Sequence, residues 1–436
     1  MSGRRRASFR PVRAGVRVIS AGLTGASYGA SAVAGTLGVY LAAVSLAGGR
    51  GRPARFGVLT PSAHGTEPVH HFRIMIPAHN EQAVISRGLA TLQALHYPAE
   101  LFEVHVVADN CTDDTAAIVR AHGFVAHERT DPHNPGKGPA LNWLFDRLDA
   151  GDDFDAVVVI DADTSVHPDF LLAMDAALAR GHVAAQGYYG VLAPEESTSA
   201  SIRYAALACR HHLRPVGRQL LGGSVGLFGN GMMFERNLMR AFRWTGHLTE
   251  DMELQNELLL AGIKVAYIPG AAIAAEMPDT VEASTGQNER WERGRVEMAQ
   301  RYVPTLARRV LSGPTQLRAA HVDAVLDHLT PPLSVLVALD VAATSGAAVL
   351  AVARGRRRDR WNLAIAALSS AALVGHVLFG LRSVDAPRSV YRSLIAAPRM
   401  IVWKLMLWAR VVTKPEQATW TRTTRNDEAH ASEEAT

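Results

Sequence analysis

The stretch Phe154–Ser165 reads FDAVVVIDADTS, and the rest of the fold can be worked out from it. Its apolar run, Ala156–Ile160, is typical of a strand buried on both faces, as in a parallel sheet. The run ends in Asp161 and Asp163, at the strand end beyond which ligands of open α/β sheets bind. Alternate residues of an extended segment point the same way, so both carboxylates could converge on one Mg²⁺ or Mn²⁺ ion bridged to substrate phosphates. The alternative is a capping Asp161 and a solvated Asp163.

Strand and helix patterns alternate on both sides of this stretch. Further strands are predicted at residues 72–76, 102–108, 123–126, 183–190 and 264–268, and helices at 81–95, 112–121, 137–148, 198–221, 250–261 and 287–302. Such alternation predicts an α/β fold with a mostly parallel sheet and helices on both faces. We expect Pro215 to end or kink the helix that contains it.

The charge of the chain is low and unevenly spread. Charged residues make up 20% of the 436 residues and apolar residues 48%, and the net charge is +4. The first 17 residues hold six arginines and no acid, and Ala353–Arg360 is a second basic cluster. Basic clusters beside apolar segments favour a lipid bilayer as partner over nucleic acid. The two cysteines imply no disulfide framework, as expected of a cytosolic catalytic domain.

Three apolar segments are candidates for crossing a membrane. Val18–Gly49 carries no charge and could extend roughly 48 Å as a helix, more than the hydrocarbon core of about 30 Å. We interpret it as a retained anchor, with a cleaved signal peptide as the alternative. Residues 329–353 and 361–381 are also long enough. Residues 388–412 mix basic, apolar and aromatic side chains, a composition that favours a helix lying in the membrane interface.

The predicted plan of the chain follows from these segments: a basic tail over 1–17, an anchor over 18–49, a linker over 50–70, a catalytic domain over 71–312, an amphipathic connector over 313–328, spans over 329–353 and 361–381, an interfacial helix over 388–412 and a polar tail over 413–436. Asp340 and His376 fall at similar depth if the last two spans are antiparallel. Because ionisable residues within a membrane usually pair or line a polar path, we predict a contact between them.

Polar residues at strand ends and helix starts are the candidate site. Pro77 and Glu81 flank the loop after the first strand, and Asp109 ends the second, where an acid could accept hydrogen bonds from a base or ribose. A turn-forming aspartate is the alternative for Asp109. Lys137, flanked by glycines at a helix start, could pair with phosphate or be a solvated lysine.

Two helix starts further along the chain carry further candidates. Glu250 and Asp251 follow a capping threonine, and capping explains them, yet a carboxylate at a pocket edge could also take a proton from an acceptor hydroxyl. Gln287, Arg290 and Trp291 share one helix face. An amide, a guanidinium and an aromatic plate suit sugars and diphosphates, and the alternative is a surface helix with one buried tryptophan.

These motifs, in this order, resemble the family 2 glycosyltransferases of the cellulose-synthase and hyaluronan-synthase type over about residues 70–300. The resemblance implies a GT-A fold and inverting, Mg²⁺- or Mn²⁺-dependent transfer of a sugar from a nucleotide sugar to a growing cell-surface glycan. It implies that Asp163 ligates the metal and that Asp251 is the general base. It further implies donor and acceptor contacts by Pro77, Glu81, Asp109, Lys137, Asp161, Glu250, Gln287, Arg290 and Trp291.

The location and the acceptor are less closely determined by the motifs. Nucleotide sugars are cytosolic, so we expect residues 70–320 to face the cytosol from a multi-pass chain in the inner (plasma) membrane. The cluster at Arg354–Arg360 would then lie outside, against the positive-inside tendency. The small number of spans leaves open the transfer of a single sugar to a polyprenyl-type lipid carrier. A nucleotidyltransferase, which also uses paired acids and a metal, and a catalytically dead membrane scaffold are two further hypotheses.

Overall fold

The computed structural model describes residues 10–49, 52–53, 67–151, 153–247, 249–276 and 285–413. Most of the predicted linker, most of the polar tail and residues 1–9 of the basic tail lie outside this description. The chain forms two compact units. The first combines the described residues up to Ala43 with Thr330–His376, and the second combines Val44–Leu329 with the described residues from Val377 onward.

A single mixed sheet is the centre of the second unit. Its strands, within the described residues, are β1 Phe72–Ala78, β2 Phe102–Asp109, β3 Val125–Arg129, β4 Ala156–Val159, β5 Thr164–Val166, β6 Ala184–Val191, β7 Met232–Glu235 and β8 Ala266–Ala275. They are ordered β3-β2-β1-β4-β7-β6-β8-β5. The first four are parallel, β7 runs antiparallel to both of its neighbours, and β6 and β8 are parallel. The predicted mostly parallel sheet is confirmed, while β5 and β7 were not predicted.

The described helices are α1 Arg10–Gly48, α2 Ile85–Gln93, α3 Thr115–Ala121, α4 Lys137–Asp149, α5 Phe170–Ala179, α6 Thr198–Ala208, α7 Arg214–Leu220, α8 Arg236–Ala241, α9 Glu250–Leu260, α10 Thr285–Ser312, α11 Arg318–Leu329, α12 Leu333–Arg354, α13 Arg357–Ser383, α14 Arg388–Ser393 and α15 Ala397–Thr413. Short 3-10 turns lie at Ala99–Leu101, Thr315–Leu317 and Leu394–Ala396.

The central strand β4 contributes to two cores because its alternate residues point to opposite faces. Val157 and Val159 pack with Leu144 of α4 on one face. Ala156 and Val158 pack on the other face with α2 and α5. All four side chains of the strand are fully buried. Ala156–Val159 is therefore apolar throughout because helices cover the strand on both faces, as the sequence predicted.

Several helix bounds differ from the sequence pattern. The helix predicted over 198–221 is α6 and α7 joined by a π-helical segment, Cys209–Leu213, and Pro215 lies in the first turn of α7, where proline is tolerated. Helix α1 begins at Arg10, inside the predicted basic tail. Helix α10 contains Pro304 and continues to Ser312, past its predicted end.

In the first unit, polar side chains join the apolar helices. Segments Gly22–Gly48, Leu333–Arg354 and Arg357–Ser383 are long and apolar enough to cross a membrane. The Ser370 hydroxyl of α13 donates to the Asp340 carboxylate of α12. A polar link across this hairpin is thus present with a serine as the partner of Asp340, and the predicted contact with His376 stays a prediction.

Candidate active site

The turn after β4 is held in place by a buried asparagine. The Asp161 N–H donates to Asn230 Oδ1 at 3.0 Å, and Asn230 Nδ2 donates to Thr164 Oγ1 at 2.7 Å. Asn230 has no exposed surface. It therefore fixes the Asp161–Asp163 turn from the segment before β7. The sequence analysis did not identify Asn230 as a site residue. The feature that could have indicated it is its position between Gly229 and Gly231, both of which adopt positive φ.

Lys137 and Asp251 both lie beside Gly229. The Lys137 ammonium contacts the Asp161 carboxylate and donates to the Gly229 carbonyl oxygen at 2.6 Å. A Cβ placed on Gly229 would lie 3.5 Å from Asp251 Oδ2 and 3.6 Å from Lys137 Nζ. Gly229 also has a φ of +76°, which disfavours any other residue. The predicted base and the predicted phosphate contact therefore share one cleft.

Adjacent carboxylates begin α9 inside this cleft. The Met252 N–H donates to Asp251 Oδ1 at 2.8 Å. Burial raises the pKa of Asp251 above its usual value. Burial and the neighbouring Asp251 charge raise the pKa of Glu250 to about 7. Burial alone would lower the pKa of Lys137, but Asp161 and the two α9 carboxylates outweigh it and raise that pKa. The cleft thus holds a carboxylate of raised basicity beside a firmly charged ammonium.

Helix α10 brings a guanidinium to the same carboxylates. Burial lowers the pKa of Arg290, and the charges of Glu250 and Asp161 oppose that shift, so Arg290 lies within electrostatic range of both. Gln287 is partly exposed and Trp291 is 40% exposed. The hypothesis of one buried tryptophan on this face is therefore wrong. The sugar contact predicted for Trp291 stays a prediction.

Asp109 ends β2 in an ion pair that the sequence did not predict. Arg129 Nη1 donates to Asp109 Oδ1 at 2.5 Å, and Asn110 Nδ2 donates to the same oxygen at 3.2 Å. Asp109 and Arg129 are both buried and are register partners on β2 and β3. The pairing orients the carboxylate at the strand end. The contact with base or ribose stays a prediction.

The loop after β1 joins the same strand ends. Pro77 lies in β1 and pairs with Val107 of β2. The Glu81 N–H donates to Thr115 Oγ1 at 2.9 Å, and His79 Nδ1 lies 2.7 Å from the Asp109 carbonyl oxygen. These contacts bring the β1 loop and Asp109 together, as expected of a nucleotide-binding edge.

The residues around Asp163 fit a divalent cation only if the substrate completes its coordination. Within the described ranges, no three His, Cys, Asp or Glu residues are grouped so that they could hold a metal. Asp163 is partly exposed and one residue removed from Asp161. A single carboxylate at a cleft is what Mg²⁺ and Mn²⁺ commonly use when phosphate oxygens and water supply the other ligands. The donor set therefore fits a metal shared with a diphosphate.

Comparison with solved structures gives weak similarity. The mannosyltransferase PcManGT from Pyrobaculum calidifontis, solved with GDP-Man and Mn²⁺, is 19% identical, with a TM-score of 0.47, over 82% of this chain and 97% of that one. The sheet itself, with helices on both faces, agrees with the expected GT-A class.

Curated relatives and a family signature give the clearer result. The probable glycosyltransferase YdaM of Bacillus subtilis is 27% identical over 231 residues, which are 51% of this chain and 54% of the relative. The beta-monoglucosyldiacylglycerol synthase of Synechocystis is 29% identical over 236 residues, 52% of this chain and 48% of the relative. The chain thus spans about half the length of these curated relatives. Residues 69–294, more than half of the chain, match the family described as "Glycosyltransferase like family 2", and the chain belongs to that family.

Proposed function

We propose that this chain is a membrane-bound, inverting glycosyltransferase that transfers a sugar from a nucleotide sugar to a growing cell-surface glycan. The observation that carries the proposal is the placement of Asp251 and the Lys137–Asp161 pair beside Gly229. One carboxylate can face an acceptor hydroxyl while the ammonium faces the leaving group. A single displacement needs no second protein nucleophile, so one such base is enough.

The charges of the cleft suit this displacement. The acceptor oxygen attacks the anomeric carbon, its proton passes to Asp251, and the bond to the nucleoside diphosphate breaks. The raised pKa of Asp251 makes it a better proton acceptor. Lys137 and Arg290 both interact electrostatically with Asp161 and would offset the negative charge that the departing diphosphate gains. Because they are fixed before the reaction, little reorganisation is needed.

A divalent metal is part of the proposal, held by Asp163 together with the donor diphosphate. Bound there, Mg²⁺ or Mn²⁺ would neutralise charge on the leaving group. Asp161 would remain available to the nucleotide, positioned by Asn230 and Lys137.

Transfer of one sugar to a lipid carrier is a second candidate, and one contact favours it. Lys404 of α15, within the predicted interfacial helix, donates to Asn288 of α10 at 2.6 Å and lies 3.1 Å from Glu292. The helix that carries Arg290 and Trp291 is therefore joined to an amphipathic helix suited to the membrane surface. Family membership argues against a nucleotidyltransferase and against a scaffold.

The membrane location is also a proposal. The three apolar helices are long enough to cross a bilayer. Because nucleotide sugars are cytosolic, we place the catalytic domain on the cytosolic side of the inner (plasma) membrane.

The substitution Asp251→Asn tests the base. We expect turnover to fall about a hundredfold to ten-thousandfold, the usual contribution of general-base catalysis, while the donor dissociation constant changes less than about twofold. The measurement is nucleoside diphosphate release by the full chain in membranes, after a screen of UDP- and GDP-sugars, with sizing of the labelled product to separate glycan from lipid acceptors.

Asp146→Asn is the matched control because it removes an exposed carboxylate from α4. Turnover near the parent rate in Asp251→Asn would remove Asp251 from the base role. Loss of turnover in both variants would show that the change reflects damage to the fold.

A further inference from the structure

A lysine of α15 binds two side chains near the start of α10. Lys404 Nζ donates to Asn288 Oδ1 at 2.6 Å and lies 3.1 Å from Glu292 Oε1. The Lys404 side chain is 15% exposed and that of Glu292 is 7% exposed. Because Asn288 and Glu292 are spaced i and i+4, one ammonium contacts α10 over a full turn. Movement of α10 at this turn would therefore break an ion pair that is largely shielded from water.

This contact lies on a different face of α10 from the candidate site residues. Those residues are Gln287, Arg290 and Trp291. At 3.6 residues per turn, the direction of Asn288 and Glu292 differs from that of the site residues by roughly 130° around the helix axis. Lys404 therefore holds α10 beside the face that carries the site residues and leaves that face to the substrate.

The Glu292 carboxylate depends on this lysine. Within the described residues, its second oxygen, Oε2, is buried and has no hydrogen-bond partner. Removing one partner of a buried ion pair is strongly destabilising, because the other charge stays behind uncompensated, whereas neutral replacement of both partners is better tolerated. Loss of the Lys404 charge should therefore loosen the start of α10, and neutralising Glu292 as well should largely restore it.

The opposite face of α15 is exposed and apolar at its centre. Val402 is 56% and Met406 53% exposed, and Ile395, in the turn before the helix, is 86% exposed. Arg399 and Arg410 are exposed toward the two ends of the same face. An apolar strip with a basic residue at each end is typical of a helix that lies on an anionic lipid surface.

The course of the chain supports a bilayer as the partner of this face. Arg357–Ser383 is long and apolar enough to cross a membrane, and only residues 384–387 separate it from α14. An exposed apolar strip that follows so soon after a spanning helix lies near the level of the lipid headgroups. The exposed arginines favour headgroups of negative charge.

We propose that α15 lies on an anionic lipid surface and that Lys404 is a positioning residue, through which α15 holds Arg290 and Trp291 of α10 in place. The bilayer supports the site, and the acceptor is still the growing glycan of the proposed function. The proposal rests on that function for the roles of Arg290 and Trp291, whereas the contact between α15 and α10 does not.

The test uses hydrogen–deuterium exchange, read by mass spectrometry, of peptides that cover residues 285–294. The full chain is reconstituted in nanodiscs of phosphatidylcholine, with or without phosphatidylglycerol, and nucleoside diphosphate release is measured on the same samples. The variants are Lys404→Gln, Lys404→Arg and the double variant Lys404→Gln with Glu292→Gln. Lys264→Gln is the matched control because Lys264 is an exposed lysine outside these helices. Peptides of β2 are the internal reference for folding.

We expect Lys404→Gln to exchange roughly tenfold faster over residues 285–294, the factor for loss of one hydrogen bond from a charged group. Its kcat should fall by a similar factor, while the donor KM changes less than about twofold. Lys404→Arg, which keeps the positive charge, and the double variant, which leaves no buried charge, should both stay closer to the parent. Lys264→Gln should match the parent, and β2 should exchange equally in all samples.

The lipid part of the proposal has its own readout. In the parent, residues 285–294 should exchange more slowly when phosphatidylglycerol is present, and Lys404→Gln should lose this effect. Equal exchange of the parent in the two lipid compositions would overturn the lipid surface. Protection that rises with protein concentration in detergent would assign the exposed face of α15 to a second copy of the chain and would overturn it as well.

The remaining outcomes decide the role of Lys404. Equal exchange over residues 285–294 in parent and Lys404→Gln would remove Lys404 as a positioning residue. Unchanged turnover despite faster exchange would show that the contact is structural only and would also contradict the proposal. If no nucleotide sugar supports turnover by the parent and exchange still depends on Lys404 and on phosphatidylglycerol, the proposed function fails while the contact of α15 with lipid and α10 stands.

Discussion

Glu250 and Asp251 are neighbours in one helical turn, and their negative charges repel each other. The N-terminus of a helix favours carboxylates, which explains why both are tolerated at the start of α9. Burial and Asp251 nevertheless raise the pKa of Glu250 to about 7. At neutral pH the pair therefore carries less than two full charges. At this pH the pair can therefore both hold a proton and accept one, as the proposed base role requires.

The substitution Glu250→Gln should make stability less dependent on pH. The pKa of Glu250 is about 7 in the folded protein and near 4.5 in the unfolded chain. Protonation of Glu250 therefore stabilises the folded state fully below pH 4.5, and this stabilisation is lost as the pH rises through about 7. The parent should therefore lose up to about 3 kcal/mol between these values from this group, and the variant should not. Thermal unfolding from pH 4.5 to 8, without donor or metal, measures the difference.

Glu100→Gln is the control because Glu100 is exposed at a 3-10 turn. It should follow the parent at every pH. A Glu250→Gln variant whose stability falls with pH as steeply as that of the parent would show that Glu250 titrates near its ordinary value.

The residues that sequence reasoning could find are those that end strands or begin helices. Lys137, Asp161 and Asp251 stand at such positions, and the structure brings them into one cleft. Arg129 and Asn230 could not be found in this way. Arg129 contacts Asp109 only because the register of β2 and β3 places the two residues side by side. Asn230 binds the Asp161 N–H although the two residues are far apart in the sequence, and no local sequence pattern predicts such a contact.

At the scale of elements, α10 approaches α9 at a glycine. A Cβ on Gly294 would lie 2.1 Å from Thr249 Cγ2, so α10 can come this close to the start of α9 only with glycine there. Arg290 lies one turn earlier on α10. The position of its guanidinium relative to Glu250 and Asp161 therefore depends on this contact.

We expect Gly294→Ala to destabilise the protein by about 1–3 kcal/mol, the usual cost of overpacking, and to lower turnover by displacing Arg290. Gly286→Ala is the matched control on the same helix because a Cβ there meets nothing within 4 Å. It should be neutral or stabilising by up to about 1 kcal/mol. Thermal unfolding and nucleoside diphosphate release give the two readouts, and equal behaviour of both variants would contradict the contact.

Helices and strands with a clear apolar pattern in the sequence could be predicted, and irregular elements could not. Strands β1, β2 and β4 and helices α4 and α9 are close to their predicted places because an apolar run or a helix-start signal marks each. Strand β7 was missed because four residues after a glycine-rich loop carry no period, yet it joins β4 to β6. The π segment differs from an α-helix in its backbone hydrogen bonds and not in its amino-acid composition, so no sequence pattern predicts it.

At the scale of the whole molecule, the directions of the apolar helices determine where the basic clusters lie. Tyr28 of α1 donates to Asp359 at 2.7 Å, and ten residues further along α13, Ser369 donates to the Ala34 carbonyl oxygen at 2.8 Å. Contacts that advance together in both helices make α1 and α13 parallel. The start of α1 and the Arg354–Arg360 cluster therefore lie at the same end of this unit.

The orientation of the spans is set by two opposing tendencies. Basic residues beside spans favour the cytosolic side, whereas the proposed nucleotide-sugar donor would place the catalytic domain there. Because a spanning helix places its ends on opposite faces of the bilayer, the turn between α12 and α13 should lie on the side opposite Leu329.

We expect the location of the donor, and not the basic residues, to determine the orientation of the spans. A cysteine introduced at Arg356, in a Cys111→Ser background, should then react with a membrane-impermeant maleimide in intact spheroplasts. A cysteine at Glu100 should react only after lysis. The reverse result would place the catalytic domain outside, and labelling of both only after lysis would show that α12 and α13 re-enter the same face.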